Sequence, residues 1–195
     1  FVAVQADLGS TAAAQAMFDA AWEQHGPIDG LVNNAGIIKR VDAVDFTEDD
    51  WDQVMDINLK TMFFLCQSFG RKALAAGRAG RIVNISSMLS FQGGIRVASY
   101  TASKSGVLGI TRLLANEWAA KGINVNSIAP GYIETNNTEA LRADPDRSAS
   151  ILGRIPAARW GVPSDIGDAA VFLLSQASNY MHGAVIPVDG GWLAR

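Results

Sequence analysis

The sequence predicts an α/β fold: a doubly wound parallel sheet with helices on both of its faces. Three observations carry that expectation. Apolar runs of strand length alternate with longer segments of helical periodicity. The runs around Leu31, Ile82, Val125 and Val185 are almost wholly apolar, as strands covered on both faces must be. Polar or glycine-containing turns recur just after successive runs, at "NNAG" (33–36), "SSM" (86–88) and "APGYIET" (129–135).

The elements follow in order. "FVAVQA" (1–6) reads as a strand. Residues 10–24 read as a helix, with Met17, Phe18, Ala21 and Trp22 at helical spacing. "IDGLVNNAG" is a strand running into a tight polar turn. Thr47 caps a long helix reaching toward Gly77, with Asp50 three residues on as an imperfect capping box. "RIVNIS" is a strand, 99–121 a second long helix, and "INVNSIAP" a further strand. A polar segment, 132–149, comes next. Pro163 and Ser164 open a helix through Ser175, and "AVIPVDGG" closes the sheet. No repeat or linker shows, so residues 1–195 read as one domain.

Composition narrows the function. Sixteen basic against nineteen acidic residues, without a long basic run, argue against nucleic acid or an anionic membrane as partner. The single cysteine, Cys66, sits in "TMFFLCQSF" and reads as a buried core thiol, which fits a reducing compartment. No stretch approaches eighteen apolar residues, and the opening lacks the charged start of a signal peptide. A cytoplasmic protein is expected. His25 and His182 are isolated, so neither is assigned to a metal or to catalysis.

In open parallel sheets, ligands bind beyond the carboxyl ends of the strands, where the three polar turns fall. Tyr100 and Lys104 are four residues apart and share one helical face. A phenol titrates near pH 10, and an ammonium close by favours phenolate. Ser87, at the end of its strand, is placed to hold a carbonyl oxygen that Tyr100 protonates. That set suits proton transfer coupled to hydride transfer, given a nicotinamide.

These residues resemble the short-chain dehydrogenase/reductase family, whose fold is Rossmann-like, over essentially the whole chain. The resemblance implies a tetrad of Asn58, Ser87, Tyr100 and Lys104. In it the tyrosine is the acid/base, the serine positions substrate, and the lysine lowers the tyrosine pKa and grips the nicotinamide ribose. The asparagine would hold a relay water. It also implies an NAD site, with NADP as the alternative, built from Asp7, Leu8, Asn33, Ala35, Gly36, Tyr100, Lys104, Pro130, Gly131, Ile133 and Thr135. Asn34 would brace neighbouring strands. A homotetramer formed through the two long helices is expected, using Met62, Phe63, Phe64, Leu113, Leu114 and Trp118, although these side chains suit the chain's own core equally.

Several loops, "SMLSFQGGIRV", "GYIETNNTEALRAD", "RIPAARWG" and "DGGWLAR", narrow the resemblance to family members that oxidise a hydroxyl of a six-carbon keto-sugar acid in pectin and uronate breakdown. Other sugar or sugar-acid dehydrogenases are the alternative. A sugar acid calls for an arginine, whose planar fork matches a carboxylate. Arg96, with help from Gln92, is the expected anchor. Ser87, Met88, Tyr100, Arg147 and Arg154 complete the expected substrate set. Trp160 walls the pocket or packs in the core, and Arg159 pairs with Asp165 at a helix start.

The family opens with strand–helix–strand carrying T-G-x-x-x-G-x-G. That segment is not in these 195 residues, so the fold reads as N-terminally truncated. The strand at Leu31 is then expected at an edge, unless the first run slides beside it or a partner chain covers it. A remnant that binds or assembles without cofactor is the rival reading to an enzyme.

Overall fold

Four parallel strands in the order β1–β2–β3–β4 form the sheet of the computed structural model, which describes residues 1–195. They are β1 (Gly30–Asn33), β2 (Gly80–Ile85), β3 (Ile123–Pro130) and β4 (Val185–Val188). Register pairs Asn33 with Asn84 and Asn84 with Ser127, which aligns the strand ends that carry the polar turns.

Side-chain alternation along β2 and β3 divides the core. Ile82, Ile123 and Val125 face helices α1 (Thr11–His25), α3 (Met62–Ala75) and α4 (Ala98–Trp118), where Phe18, Phe69 and Trp118 fill the larger cluster. Val83 and Ile128 point the other way, onto Leu173 of α7 (Pro163–Leu174). The sheet is thus covered on both sides, which explains its unbroken apolar runs. A third cluster joins Met88, Ile151, Ile155, Trp160 and Trp192, tying α6 (Pro145–Leu152) to the C-terminal turn.

Local signals place the helices well. Ser10 and Thr47 accept backbone N–H groups at the starts of α1 and α2 (Glu48–Met55). The helix expected from Thr47 toward Gly77 is present but interrupted: residues Asp56–Thr61 adopt a π turn between α2 and α3. The polar segment contains a 3₁₀ turn, α5 (Glu139–Ala143) and α6.

The opening run is a correction. Residues 1–6 form no strand; Phe1, Val2 and Val4 are exposed and pair with nothing. A strand exists only by hydrogen bonding to a neighbour, and this run has none. β1 is accordingly an edge strand. Of the apolar residues expected at helix surfaces, Met62, Leu114 and Trp118 are buried in the chain's own core, Phe63 and Phe64 are half-buried, and Leu113 is exposed.

Candidate active site

The carboxyl ends of β1, β2 and β3 open into a cavity of ≈ 500 Å³. Ser87, Tyr100 and Lys104 all line it, together with Asn34, Gly36, Pro130, Gly131, Ile133 and Thr135. Ser87 follows β2 and starts a short 3₁₀ turn, Met88–Ser90, by accepting the Leu89 N–H at 3.1 Å. Ser90 Oγ then donates to the Lys104 carbonyl at 2.7 Å, which fastens that turn to α4. The serine and the Tyr100–Lys104 face are therefore held in fixed relation.

The charges depart from expectation. Lys104 Nζ donates to the Ile85 carbonyl at 2.7 Å and lies 5.7 Å from the Tyr100 ring centroid. Burial lowers its pKa to about 8. Burial likewise raises the Tyr100 pKa, partly offset by the Ser87 hydroxyl and by the field of Arg40. Lys104 is not among the groups that lower it. Desolvation is the largest influence on the phenol in this arrangement, and the ammonium is turned to a backbone carbonyl.

Asn58 stands in the π turn and is 2% exposed. Its Oδ1 accepts the Ile37 N–H at 2.8 Å, while its Nδ2 donates to the Ile37 carbonyl at 2.9 Å and to Ser103 Oγ at 3.3 Å. Ser103 Oγ in turn donates to the Tyr100 carbonyl at 2.9 Å. The side chain thus links the loop after β1 to the helix bearing Tyr100. Gly36 permits this closeness: a Cβ there would lie 3.2 Å from Asn58 Oδ1 and 3.5 Å from Lys104 Nζ.

The two asparagines of "NNAG" exchange their expected places. Asn33, the last residue of β1, donates to Asn84 Oδ1 at 2.9 Å and to Cys66 Sγ at 3.2 Å, so it is the brace. Asn34, one residue on, turns outward and lines the cavity. Strand alternation decides the matter, since the pairing of Asn33 with Asn84 fixes which side chain points inward. Burial pushes the Cys66 thiol up to about 12, so it is an inert core group.

Other expected residues lie elsewhere. Asp7 accepts the Gly9 N–H at 2.8 Å ahead of α1, and Leu8 packs on the main core; neither lines the cavity. Ala35 is exposed in the loop after β1. Arg96 is outside the cavity, has φ 63°, and pairs with Asp42 at 3.2 Å. Gln92 is half-buried and Met88 packs among the tryptophans, both off the cavity wall. Arg159 pairs with Asp165 at 2.8 Å across the start of α7. Arg147 and Arg154 are exposed on and just after α6. Sequence reasoning did not find Arg40, Asn137, Thr138 or the α7 residues Ile166 and Ala170 near the cavity. Arg40 donates to the Asn137 carbonyl at 2.8 Å, a contact across 97 positions that no local pattern reveals.

A parallel sheet carrying Ser, Tyr and Lys around a cavity at its carboxyl end defines the class. The chain belongs to the short-chain dehydrogenase/reductase family, and the family model described as enoyl-(acyl carrier protein) reductase matches residues 1–193. Over its whole length it is 60% identical to 2-dehydro-3-deoxy-D-gluconate 5-dehydrogenase of Escherichia coli (strain K12), of which it spans 77%. A solved structure from Agrobacterium tumefaciens with bound NADP, provisionally named 2-deoxy-D-gluconate 3-dehydrogenase, is 62% identical with a TM-score of 0.93, covering 98% of this chain and 76% of that one. A gluconate 5-dehydrogenase from Burkholderia cenocepacia in complex with NADP and tartrate is 38% identical, TM-score 0.93, covering 97% and 74%.

Proposed function

We propose that this site oxidises or reduces a sugar acid, interconverting the C5 hydroxyl and ketone of 2-dehydro-3-deoxy-D-gluconate with NAD, NADP being the alternative. The observation that carries the reading is the convergence of Ser87, Tyr100 and Lys104 on one cavity, in a chain 60% identical to an enzyme of that name. Gluconate and other sugar acids are the nearest alternative substrates.

The cavity suits the nicotinamide half of such a cofactor. Gly36 leaves room beside Asn58 and Lys104. When bound, the cofactor supplies the hydride acceptor or donor. Ser87 Oγ positions the substrate oxygen through a hydrogen bond, and the Tyr100 hydroxyl gives or takes its proton. Lys104 Nζ, now on the Ile85 carbonyl, supplies the donor toward a ribose. Asn58, through Ile37 and Ser103, holds the parts in register.

A reading as a cofactor-free binding module draws on one observation: Asp7 and Leu8 stand away from the cavity. Calorimetric titration with NAD and NADP, followed by turnover assays on the sugar acid, separates the two. Binding with turnover that falls at least ~100-fold in Tyr100→Phe supports the enzyme. Neither cofactor binding at millimolar concentration, with no turnover, favours the module.

A further inference from the structure

Helix α4 carries both Tyr100 and Lys104, and two of its side chains bond to the sheet. Lys104 Nζ donates to the Ile85 carbonyl at 2.7 Å. Seven residues on, two turns along the same face, Thr111 Oγ1 accepts a bond from Asn84 Nδ2 at 3.0 Å. The two bonds land on consecutive residues of β2. Asn84 and Thr111 are both fully buried, neither lines the cavity, and the proposed chemistry uses neither.

Asn84 is bonded on every side. Its Oδ1 accepts Asn33 Nδ2 at 2.9 Å and the Cys66 thiol at 3.6 Å, and its backbone carbonyl accepts Ser127 Oγ at 2.8 Å. One residue therefore joins the end of β1, helix α3, helix α4 and strand β3. Asn33 immediately precedes the cavity residue Asn34, and Ser87 stands three residues beyond Asn84. Past Lys104, α4 otherwise meets the core through apolar side chains: Val107, Leu114, Ala115 and Trp118. Apolar attraction has no direction, so it fixes the position of a helix along its axis less sharply than a hydrogen bond does. A small slide of α4 would leave a buried amide and a buried hydroxyl unpaired, which is costly.

We infer that Asn84 and Thr111 are positioning residues: their bond sets how far α4 is advanced along β2, and so holds Tyr100 and Lys104 opposite Ser87. The inference rests on the dehydrogenase reading and deepens it. Lys104 is a poor fixed point, because its Nζ is the group that turns toward a cofactor ribose. The Asn84–Thr111 bond lies away from the cavity and stays made whatever the cavity holds.

Urea midpoints from pH 7.5 to 10, with steady-state turnover of the sugar acid, test this. Burial depresses the Lys104 pKa to about 8 with no charged group contributing, and Tyr100 is the titratable side chain that faces it. The folded chain then binds fewer protons than the unfolded one, and the midpoint rises between pH 8 and 10. Thr111→Val keeps the outline of the side chain and removes the hydroxyl. It is expected to shrink that rise by about half or more, as Lys104 shifts toward water. It is also expected to lower kcat at least ~10-fold with little change in KM. Asn84→Thr, one bond shorter, does the same and serves if Thr111→Val does not fold. Thr111→Ser keeps the hydroxyl and restores both. Ser178→Ala removes a buried hydroxyl bonded to the Leu173 carbonyl at 2.9 Å, beside α7, and lowers the midpoint equally at every pH. Absence of the rise in the unsubstituted chain, its survival in full in Thr111→Val, or failure of Thr111→Ser to restore it overturns the inference. A rise that collapses in Thr111→Val, in a chain without turnover, leaves the positioning standing and sinks the proposed reaction instead.

Discussion

Lys104 illustrates how burial can override proximity. Its amine is 4% exposed and answered only by a backbone carbonyl, so the folded chain releases its proton near pH 8, while the unfolded chain keeps it toward the ordinary 10.5. Between pH 8 and 10 the unfolded state binds more protons, so stability rises with pH across that window, by about 2–3 kcal/mol. Lys104→Met removes the rise, and urea midpoints taken from pH 7.5 to 10 measure it. Above pH 10 the raised pKa of Tyr100 works in the opposite direction, because the unfolded phenol ionises first. The pairing of Tyr100 with Lys104 was legible in the sequence because i and i+4 share a face. Their electrostatics were not, because spacing says nothing of how much water is lost. The exchange of Asn33 and Asn34 has a similar root: a one-residue choice of strand register decides which amide faces inward.

Elements were legible where a signal acts over a few residues. The cap at Thr47, the strands from β1 onward, and Pro163 at the start of α7 all stand where the pattern put them, and Ser10, expected inside a helix, caps α1. The π turn at Asp56–Thr61 carries no such signal; it is imposed by the need to present Asn58 to Ile37 while Met62 and Leu65 stay in the core. Strand 1–6 failed because its pattern was right and its partner absent. Ala158 is another cost set by the surroundings: it has φ 53° in the turn before Trp160, a conformation that crowds a Cβ. Ala158→Gly is expected to stabilise the chain by about 0.5–1 kcal/mol, read as a higher urea midpoint with unchanged slope. No change in midpoint would show that the turn carries no strain.

At the scale of the whole molecule, the sheet of residues 1–195 has two edges, β1 and β4. β1 offers its outer backbone groups with no partner, and Val32 on it is 40% exposed. An unpaired apolar edge is a template for another strand. Self-association on warming is the expected behaviour, and Val32→Lys is expected to reduce it, as followed by light scattering against concentration. Equal scattering from both would place the association elsewhere, with the exposed Leu113 of α4 the next surface to alter. The family's fold was readable from β1 onward because parallel strands leave a continuous apolar signature. The contact of Arg40 with the Asn137 carbonyl was not, since it joins residues 97 positions apart.

The turn at Trp192–Ala194 is bound into the fold rather than hanging from it. Trp192 packs edge-on against Tyr132 with the Arg154 guanidinium over its ring, and Arg195 is stitched to the backbone of Gly153 and Arg154. A cut in that stitch would be felt in two other segments at once, the loop after β3 and the turn after α6.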